Sequence, residues 1–281
     1  MPWRLPLPEV TFVSVDLETT GLAPGFDRII EVGVARFRVR ADGSVVAGAV
    51  FDELVDPGKA ILPTVSTLTG ISNEDVAAAP PIEALWPAIV EALRPEGPTI
   101  LLAHNAAFDV SFLLAAAALI DPTWTPPPAA CTVRIARRTL PDAPRYALEV
   151  LVNWLGCGGD SPSHHRALAD ALHARNLFAR CVARSGARSM LDLGVSEPVP
   201  TPALADIASL IPPGLRGLEA AIAEQRLLHI RYRGGSKGTQ RRPITPQGFY
   251  VRDGVLYLRA VCHVDQVAKS FRCDRIRDID R

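Results

Sequence analysis

Apolar residues in the first part of the chain recur with the spacing of β-strands. The β-branched run at residues 10–20 predicts a buried strand near the N-terminus. Residues 28–40 and 44–55 predict two further strands, and Asp42 with Gly43 between them is typical of a tight hairpin. We therefore expect three antiparallel strands that pair in sequence order.

The middle of the chain predicts helices on both sides of one short strand. Residues 99–103 are wholly apolar, which indicates a strand that is buried on both faces. Helices are predicted at residues 82–93, 110–120, 131–140, 146–155 and 166–184, with short helical turns at 64–68 and 74–77.

A proline-rich stretch separates this region from a smaller C-terminal module. Residues 186–213 lack sustained periodicity, which predicts a linker with one short helix. After it the pattern predicts a helix at 218–228 and strands at 229–233, 248–251, 255–261 and 269–273. We therefore divide the chain into a domain at 1–185, a linker at 186–213 and a small, mostly β domain at 214–281.

Charge is divided unevenly between the two predicted domains, although the formal net charge of the chain is zero. Residues 1–185 hold 15 Lys and Arg against 20 Asp and Glu, whereas residues 214–281 hold 14 against 7. An acidic body with a basic appendage fits a metal-dependent catalytic domain joined to a module that binds a polyanion. The alternative is that the basic count only reflects a general preference for arginine.

The cysteines and the apolar runs indicate where the protein works. The five cysteines are scattered and form no C-x-x-C pair, so we expect reduced thiols. The first residues do not resemble a signal peptide, and the longest apolar run, 112–120, is too short to span a bilayer. We therefore expect a soluble cytoplasmic protein that does not enter a membrane.

Two acids, Asp16 and Glu18, stand at the end of the first predicted strand. Side chains alternate along a strand, so residues two apart share a face. Two neighbouring carboxylates repel each other unless a proton or a cation lies between them, and hard divalent ions suit all-oxygen ligands. The alternative is that both acids face water at an exposed strand end.

Three further residues could complete such a site. Asp109 follows the strand at 99–103, where functional residues of α/β sheets often lie, although it could simply be a helix N-cap. Asp170 lies near the start of the last long helix, and its alternative is a solvated helical position. His165 precedes that helix and can titrate near neutral pH.

Three segments together resemble the motifs of the DEDDh exonucleases, the family of proofreading 3′–5′ exonuclease subunits and oligoribonucleases. They are Asp16-Leu-Glu18-Thr-Thr-Gly21, His104-Asn105-Ala-Ala-Phe108-Asp109 and His165-Arg-Ala-Leu-Ala-Asp170, and the resemblance covers about residues 8–184. Arg166 stands where the tyrosine subtype would need Tyr, so the histidine subtype matches better. The resemblance implies an α/β, ribonuclease H-like fold with a mixed five-stranded sheet flanked by helices.

The resemblance also implies phosphodiester hydrolysis with two divalent cations, Mg²⁺ or Mn²⁺, which can stabilise both the attacking and the leaving oxygen. We assign Asp16 to bridge the cations, Glu18 and Asp170 to complete one, and Asp109 to support the other. His165 is the expected general base. The expected reaction removes nucleotides from the 3′ end of DNA or RNA, and the sequence leaves that choice open.

Substrate contacts are assigned to residues beside the acids. The turn after the first strand offers backbone N–H groups and a small platform for the terminal nucleotide: Thr19, Thr20, Gly21 and Leu22. Phe108 could stack on a base, with a core position as an equal alternative. Asn105 is a further candidate for substrate contact, but for His104 and Asn105 a structural role at the strand end is preferred.

Residues 216–281 resemble a WYL domain, a small Sm-like β-barrel of bacterial regulators and some nucleases. The resemblance rests on the segments around Arg242, Leu256-Tyr257-Leu258 and Phe271-Arg272, with Leu256 in place of the usual Trp and Lys269 where Arg is usual. The expected ligand surface is formed by Arg242, Tyr257, Arg272 and Arg275. Arginine and tyrosine suit phosphate pairing and base stacking, so single-stranded nucleic acid is the expected ligand.

Two alternatives remain for these assignments. In the C-terminal domain, Tyr257 and Leu258 could fill the barrel while the arginines pair with acids of the same domain: Asp253, Asp274 and Asp278. For the whole chain, the alternative function is a non-catalytic regulator that senses a ligand through the WYL domain and keeps the nuclease-like fold as a scaffold. A polymerase or repair complex is left open as a partner.

Overall fold

The computed structural model describes residues 2–40, 42–159, 165–200, 210–234, 241–252 and 255–280. The chain divides into two compact units. The first consists of residues 1–22 and 27–201, and the second of residues 23–26 and 202–281.

A mixed five-stranded sheet forms the centre of the first unit. Its strands are β1 (Thr11–Thr19), β2 (Ile29–Val39), β3 (Val45–Leu54), β4 (Thr99–Ala103) and β5 (Ala129–Cys131). They lie in the order β3-β2-β1-β4-β5, with β1, β2 and β3 antiparallel and β4 and β5 parallel to β1. The predicted three-stranded antiparallel start is confirmed.

Helices cover both faces of this sheet. Within the described residues they are α1 (Pro63–Thr69), α2 (Asn73–Val76), α3 (Ile82–Leu93), α4 (Ala107–Ile120), α5 (Thr132–Thr139), α6 (Leu148–Leu155) and α7 (Ala167–Ser185). One face packs on α3 and α4 through residues such as Val13, Val15 and Leu17 of β1. The other face packs on α5, α6 and α7, where Phe12 of β1 contacts Phe178 with ring centroids 4.7 Å apart.

The second unit contains helix α8 (Gly217–Ala223) and a five-stranded antiparallel sheet. Its strands are β6 (Leu228–Tyr232), β7 (Arg241–Arg252), β8 (Val255–Cys262), β9 (Val267–Arg272) and β10 (Ile276–Asp280), in the order β10-β6-β7-β8-β9. Leu258 and Phe271 lie in its core, which α8 covers through Leu218. The predicted mostly β module is confirmed, while closure of the sheet into an Sm-like barrel stays a prediction.

Some predicted elements differ from the observed ones. Residues 129–131 form strand β5, where the sequence predicted no strand. In the C-terminal sheet, β7 is longer than the predicted strand at 248–251, and β10 was not predicted. Helix α8 ends at Ala223, earlier than predicted. Part of the predicted linker belongs to the first core, because Ala187, Met190 and Leu193 are buried there.

Two further expectations concerned reduced cysteines and the lack of a membrane-spanning segment. All five cysteines are free thiols, and four of them are buried. Within the described ranges, no helix combines the length and the apolar character that crossing a bilayer requires.

Candidate active site

Asp16 and Glu18 lie on the face of β1 that packs on α7. Ser14, two residues earlier, shares this face, and its hydroxyl donates a hydrogen bond of 2.6 Å to the Ala171 carbonyl of α7. The intervening Leu17 points into the opposite core. Both acids are half-buried, so they do not lie at the freely exposed strand end that the alternative required.

The start of α7 brings two of the predicted residues to this place. Glu18, His165 and Asp170 each offer a ligand atom, and these atoms all lie within 4.8 Å of one another. The backbone N–H of His165 donates to Asp170 Oδ2 at 3.2 Å. Residue His165 has a φ of 64°, a left-handed conformation that non-glycine residues adopt rarely and that clusters at functional sites.

Asp109 is buried in the first turn of α4, with 2% of its surface exposed. The residue at the N-cap of this helix is Ala106, so the alternative of an Asp109 N-cap is wrong. Burial raises the pKa of Asp109 well above its usual range, and the charge of Glu18 raises it further. Hydrogen bonds from the backbone of Asp109 and Leu17 lower the pKa of Asp109 and so oppose this rise.

The acids perturb one another strongly. Burial raises the pKa of Asp16 well above its usual range, and the charges of Asp109, Asp170 and Glu18 add to this effect. Burial also raises the pKa of Glu18 to about 7, helped by the charge of Asp170. Such a set is held together best by a bound cation, which would neutralise the repulsion. Carboxylate oxygens with a nearby imidazole fit hard divalent ions such as Mg²⁺ and Mn²⁺.

Two residues of the site were missed by sequence reasoning. Glu31 is 1% exposed and lies directly opposite Glu18 in the β1–β2 pair. The sequence feature that could have identified Glu31 is an acidic residue within the apolar run of β2. His173 is also buried, and its Nδ1 lies 3.3 Å from Asp170 Oδ1. The sequence feature that could have identified His173 is its position three residues after Asp170, on the same face of the helix.

The turn after β1 uses much of its polar capacity internally. The Thr19 hydroxyl donates to the Gly21 carbonyl at 2.6 Å, and the Thr20 hydroxyl accepts from the Arg28 N–H at 3.0 Å. A side chain at Gly21 would overlap the Asp27 carboxylate, so Asp27 would have to move to accommodate it. Leu22 is 59% exposed and is the member of this turn most accessible to a ligand.

The segment between β4 and α4 contains the other predicted contacts. Asn105 is exposed and left-handed, with a φ of 76°. Phe108 is half-buried and its ring centroid lies 4.9 Å from that of Phe112, so the side chain packs against the core and stays partly accessible. His104 joins two later segments, since its ring nitrogens lie 3.0 Å from Thr132 Oγ1 and 2.9 Å from the Tyr146 carbonyl.

The residues predicted for a ligand surface in the second unit differ in accessibility. Arg242 is only 6% exposed and lies 3.7 Å from Asp265, so it is not an open surface residue. Arg272 donates two hydrogen bonds to the Asp274 carboxylate, at 3.0 and 2.8 Å. This contact agrees with the alternative in which the arginines pair with acids of the same domain. Arg275 is exposed.

Tyr257 is half-buried and stacks on Tyr250, with the ring centroids 5.2 Å apart and the planes inclined by 14°. Leu258 is fully buried in the same sheet. Within β8, Tyr257 is therefore partly accessible, whereas Leu258 belongs to the core. Of the residues predicted for the ligand surface, Arg275 is the exposed one.

The sequence of the first unit shows to which family this mixed sheet with its clustered acids belongs. The chain belongs to the RNase_T family of exonucleases, which matches residues 13–178, and a WYL domain matches residues 213–281.

Two curated relatives are similar over the first unit. Protein MT2247 of Mycobacterium tuberculosis (strain CDC 1551 / Oshkosh), named as a candidate bifunctional exonuclease/endonuclease, is 41% identical over 61% of this chain and 27% of its own length. A DNA polymerase III subunit epsilon-like protein of Rhodobacter capsulatus is 35% identical over 67% of this chain and 26% of its own. The chain thus spans about a quarter of the length of these relatives.

Solved structures share the fold. Escherichia coli Exonuclease I in complex with a dA16 oligonucleotide has a TM-score of 0.53 and 17% identity, covering 90% of this chain and 55% of that one. A 3′-exonuclease studied for 3′-end recognition of a histone mRNA stem-loop has a TM-score of 0.51 and 18% identity, covering 64% and 84%.

Proposed function

We infer that this chain is a DEDDh-type 3′–5′ exonuclease that hydrolyses phosphodiester bonds from the 3′ end of a nucleic acid strand. The observation that carries this proposal is the approach of Glu18, His165 and Asp170 within 4.8 Å of one another, beside the mutually perturbed Asp16 and Asp109. Four carboxylates and one imidazole from separate segments are the groups that this chemistry needs.

The site residues divide into cation-holding and proton-moving groups. Asp16, Glu18, Asp109 and Asp170 would hold two divalent cations, Mg²⁺ or Mn²⁺. When bound, the cations would supply charge stabilisation for the attacking and leaving oxygens. His165 is exposed and lies at the edge of the acids, where its ring can take a proton from an attacking water.

His173 and Glu31 do not belong to either group. His173 supports the Asp170 carboxylate from within α7, since its Nδ1 lies 3.3 Å from Oδ1. Such an outer contact fixes the orientation of a ligand residue and is itself important for metal binding.

Single-stranded 3′ ends are the proposed substrate class. Among proteins of this fold, one solved structure contains a dA16 oligonucleotide and another concerns 3′-end recognition of RNA, so both DNA and RNA must be tested. The half-buried Phe108 and the exposed Leu22 are the proposed contacts for the terminal base. A cytoplasmic location and a polymerase or repair partner stay predictions.

The C-terminal domain is proposed to bind the same strand or to sense a nucleotide ligand. Its supports are an excess of 14 basic over 7 acidic residues in residues 214–281 and the exposed Arg275. Ion pairs within the domain weaken this proposal for Arg242 and Arg272.

The test is a direct assay of polarity. Purified protein is incubated with single- and double-stranded DNA and RNA oligonucleotides that are labelled at the 5′ or the 3′ end, with Mg²⁺, with Mn²⁺ or with EDTA. Release of the 3′ label as a mononucleotide, together with a ladder of shortening 5′-labelled products, supports the proposal. Internal cutting, or early release of the 5′ label, contradicts the polarity.

A chain that cleaves nothing would favour the non-catalytic regulator. That outcome is examined by thermal melting with Mn²⁺, comparing the wild type with an Asp16→Asn/Asp170→Asn variant. Stabilisation of the wild type alone would mean that the acids still bind a cation, whereas equal melting curves would leave only a scaffold.

A further inference from the structure

Glu31 is a buried acid beside the candidate cation site, and its own partners lie in the protein. Its Oε1 accepts hydrogen bonds from Arg166 Nε at 2.8 Å and from Arg166 Nη2 at 2.5 Å. Its Oε2 accepts from the backbone N–H of Ala167 at 2.8 Å. Three donors on one carboxylate offset the cost of burying its charge.

These partners belong to the segment that brings His165 and Asp170 to the site. Arg166 follows His165 directly, and its carbonyl accepts the hydrogen bond from the Asp170 N–H at 3.0 Å. Glu31 therefore holds the chain at the point where the left-handed His165 turns into α7. A strained residue of this kind persists only when its surroundings fix it.

Gly33 supplies a second, independent contact on the same strand. It lies opposite Asp16 in the β1–β2 pair, and a Cβ at this position would overlap the backbone of Ala167 and Leu168. The first turn of α7 thus packs on bare backbone of β2, beside the acids of β1. Any side chain at Gly33 would push this turn away from Asp16.

We propose that Glu31 and Arg166, with Gly33, form a positioning clamp that holds His165 and Asp170 against Asp16 and Glu18. The inference rests on the proposed nuclease function and adds residues that carry out no chemistry themselves. Glu31 is a positioning residue, because both of its oxygens are occupied by protein donors.

The charge of Arg166 allows a decisive test. Arg166 is a cation close to Glu18, where it opposes the rise of the Glu18 pKa. If the pair acted only through charge, Arg166→Gln would make the site more negative and would strengthen Mn²⁺ binding. If the pair acts by positioning, the same change weakens Mn²⁺ binding, because Asp170 and His165 are no longer held in place.

The experiment measures Mn²⁺ affinity by calorimetry, together with kcat and KM on a 3′-labelled single strand. Arg166→Gln and Glu31→Gln are each expected to reduce Mn²⁺ affinity and kcat by about 10- to 100-fold, with little change in KM. Arg166→Lys keeps the charge but not the two-pronged contact and should lie between them and the wild type. The double variant should lose less than the product of the two single losses.

A matched control is available on the same strand. Arg36 of β2 donates a hydrogen bond of 2.9 Å to the Ala92 carbonyl at the end of α3, on the other face of the sheet from α7. Arg36→Gln removes a comparable strand-to-helix contact and should leave Mn²⁺ affinity unchanged. Circular dichroism and metal-free melting curves exclude variants that do not fold.

The outcomes separate the two proposals. A wild type that neither binds Mn²⁺ nor cleaves any strand overturns the proposed function. A wild type that does both, with an Arg166→Gln variant that binds Mn²⁺ as tightly as the wild type or more tightly, overturns the clamp alone. A loss in Glu31→Gln without any loss in Arg166→Gln would make Glu31 a cation ligand and would also overturn it.

Discussion

Glu31 lies directly across the antiparallel β1–β2 pair from Glu18, and the two acids have opposite surroundings. Glu31 is enclosed by donors from Arg166 and Ala167. Glu18 instead faces Asp170 and His165, and burial raises its pKa to about 7. Adjacent positions of one sheet thus carry one carboxylate bonded to protein donors and one that lies beside further acids and an imidazole.

Asp16→Asn should abolish turnover and stabilise the metal-free protein. The change removes an oxygen ligand, so kcat should fall by about 10³-fold or more, since metal stabilisation of the reaction amounts to several kcal/mol. It also removes one of the charges that repel each other at Asp109 and Glu18. Each kcal/mol of repulsion relieved should raise the melting temperature by about 2–4 °C in EDTA.

The measurement combines a 3′-label release assay with melting curves. An equivalent change at an exposed acid away from the site, Glu83→Gln on α3, serves as the control. Wild-type activity in the Asp16→Asn protein would refute the site assignment.

The stability of the metal-free protein should fall as the pH rises towards neutral. Glu18 has a pKa near 7 in the folded protein against an ordinary value of 4.5, so folding favours its protonated form. The stabilisation is complete below about pH 4.5 and is lost as the pH rises through 7. Asp16 and Asp109, whose pKa values are also raised, act in the same direction.

Divalent cations should reverse this trend, because their carboxylate ligands must be deprotonated. The increase in melting temperature produced by Mn²⁺ should therefore be larger at pH 8 than at pH 6. Thermal unfolding in EDTA and in Mn²⁺ across this pH range provides the measurement. A Glu18→Gln variant should show a flatter pH profile, and a profile identical to that of the wild type would speak against the Glu18 assignment.

His165→Ala should separate proton transfer from cation binding. As general base, His165 should contribute about 10²- to 10⁴-fold to kcat. Mn²⁺ affinity should stay close to the wild-type value, because the proposed ligands are carboxylates. Calorimetry with Mn²⁺ beside single-turnover rates makes the distinction. If affinity falls as far as in Asp170→Asn, the ring of His165, which lies within 4.8 Å of both acids, is itself a ligand.

Local sequence pattern predicted the parts of the site that lie on single elements. The common face of Asp16 and Glu18 follows from alternation along β1, and the apolar β4 was evident from composition alone. Glu31 could not be assigned from sequence, because its role depends on a partner 135 residues away. The Glu31–Arg166 pair can be identified only from the packing of α7 on β2.

The C-terminal sheet was predicted less completely, also for physical reasons. Pro243 and Pro246 lie within β7, and proline normally argues against a strand because it cannot donate to the ladder. The strand tolerates them, with an irregularity in the β7–β8 register between Pro246 and Gly248. Arg242 was predicted to be accessible, yet it is only 6% exposed and lies 3.7 Å from Asp265 in the turn between β8 and β9.

Arg275→Gln should weaken nucleic acid binding and reduce its salt dependence, if the C-terminal domain contacts the substrate strand. One lost phosphate contact should lower the slope of log K against log salt by about 0.7 for a single strand. The rate of hydrolysis at saturating substrate should not change, since the acids lie in the other unit. Fluorescence anisotropy with a labelled oligonucleotide between low and physiological salt gives the slope.

The matched control is Arg226→Gln. Arg226 is also exposed in the second unit, but it is paired with Glu224 at 3.1 Å, so it should contribute little to phosphate binding. Equal slopes for the wild type and both variants would remove Arg275 from the binding surface. If deletion of residues 214–281 also leaves the slope unchanged, the proposed role of the domain passes from strand binding to dimerisation or to recognition of a small nucleotide, which sedimentation and nucleotide titration can distinguish.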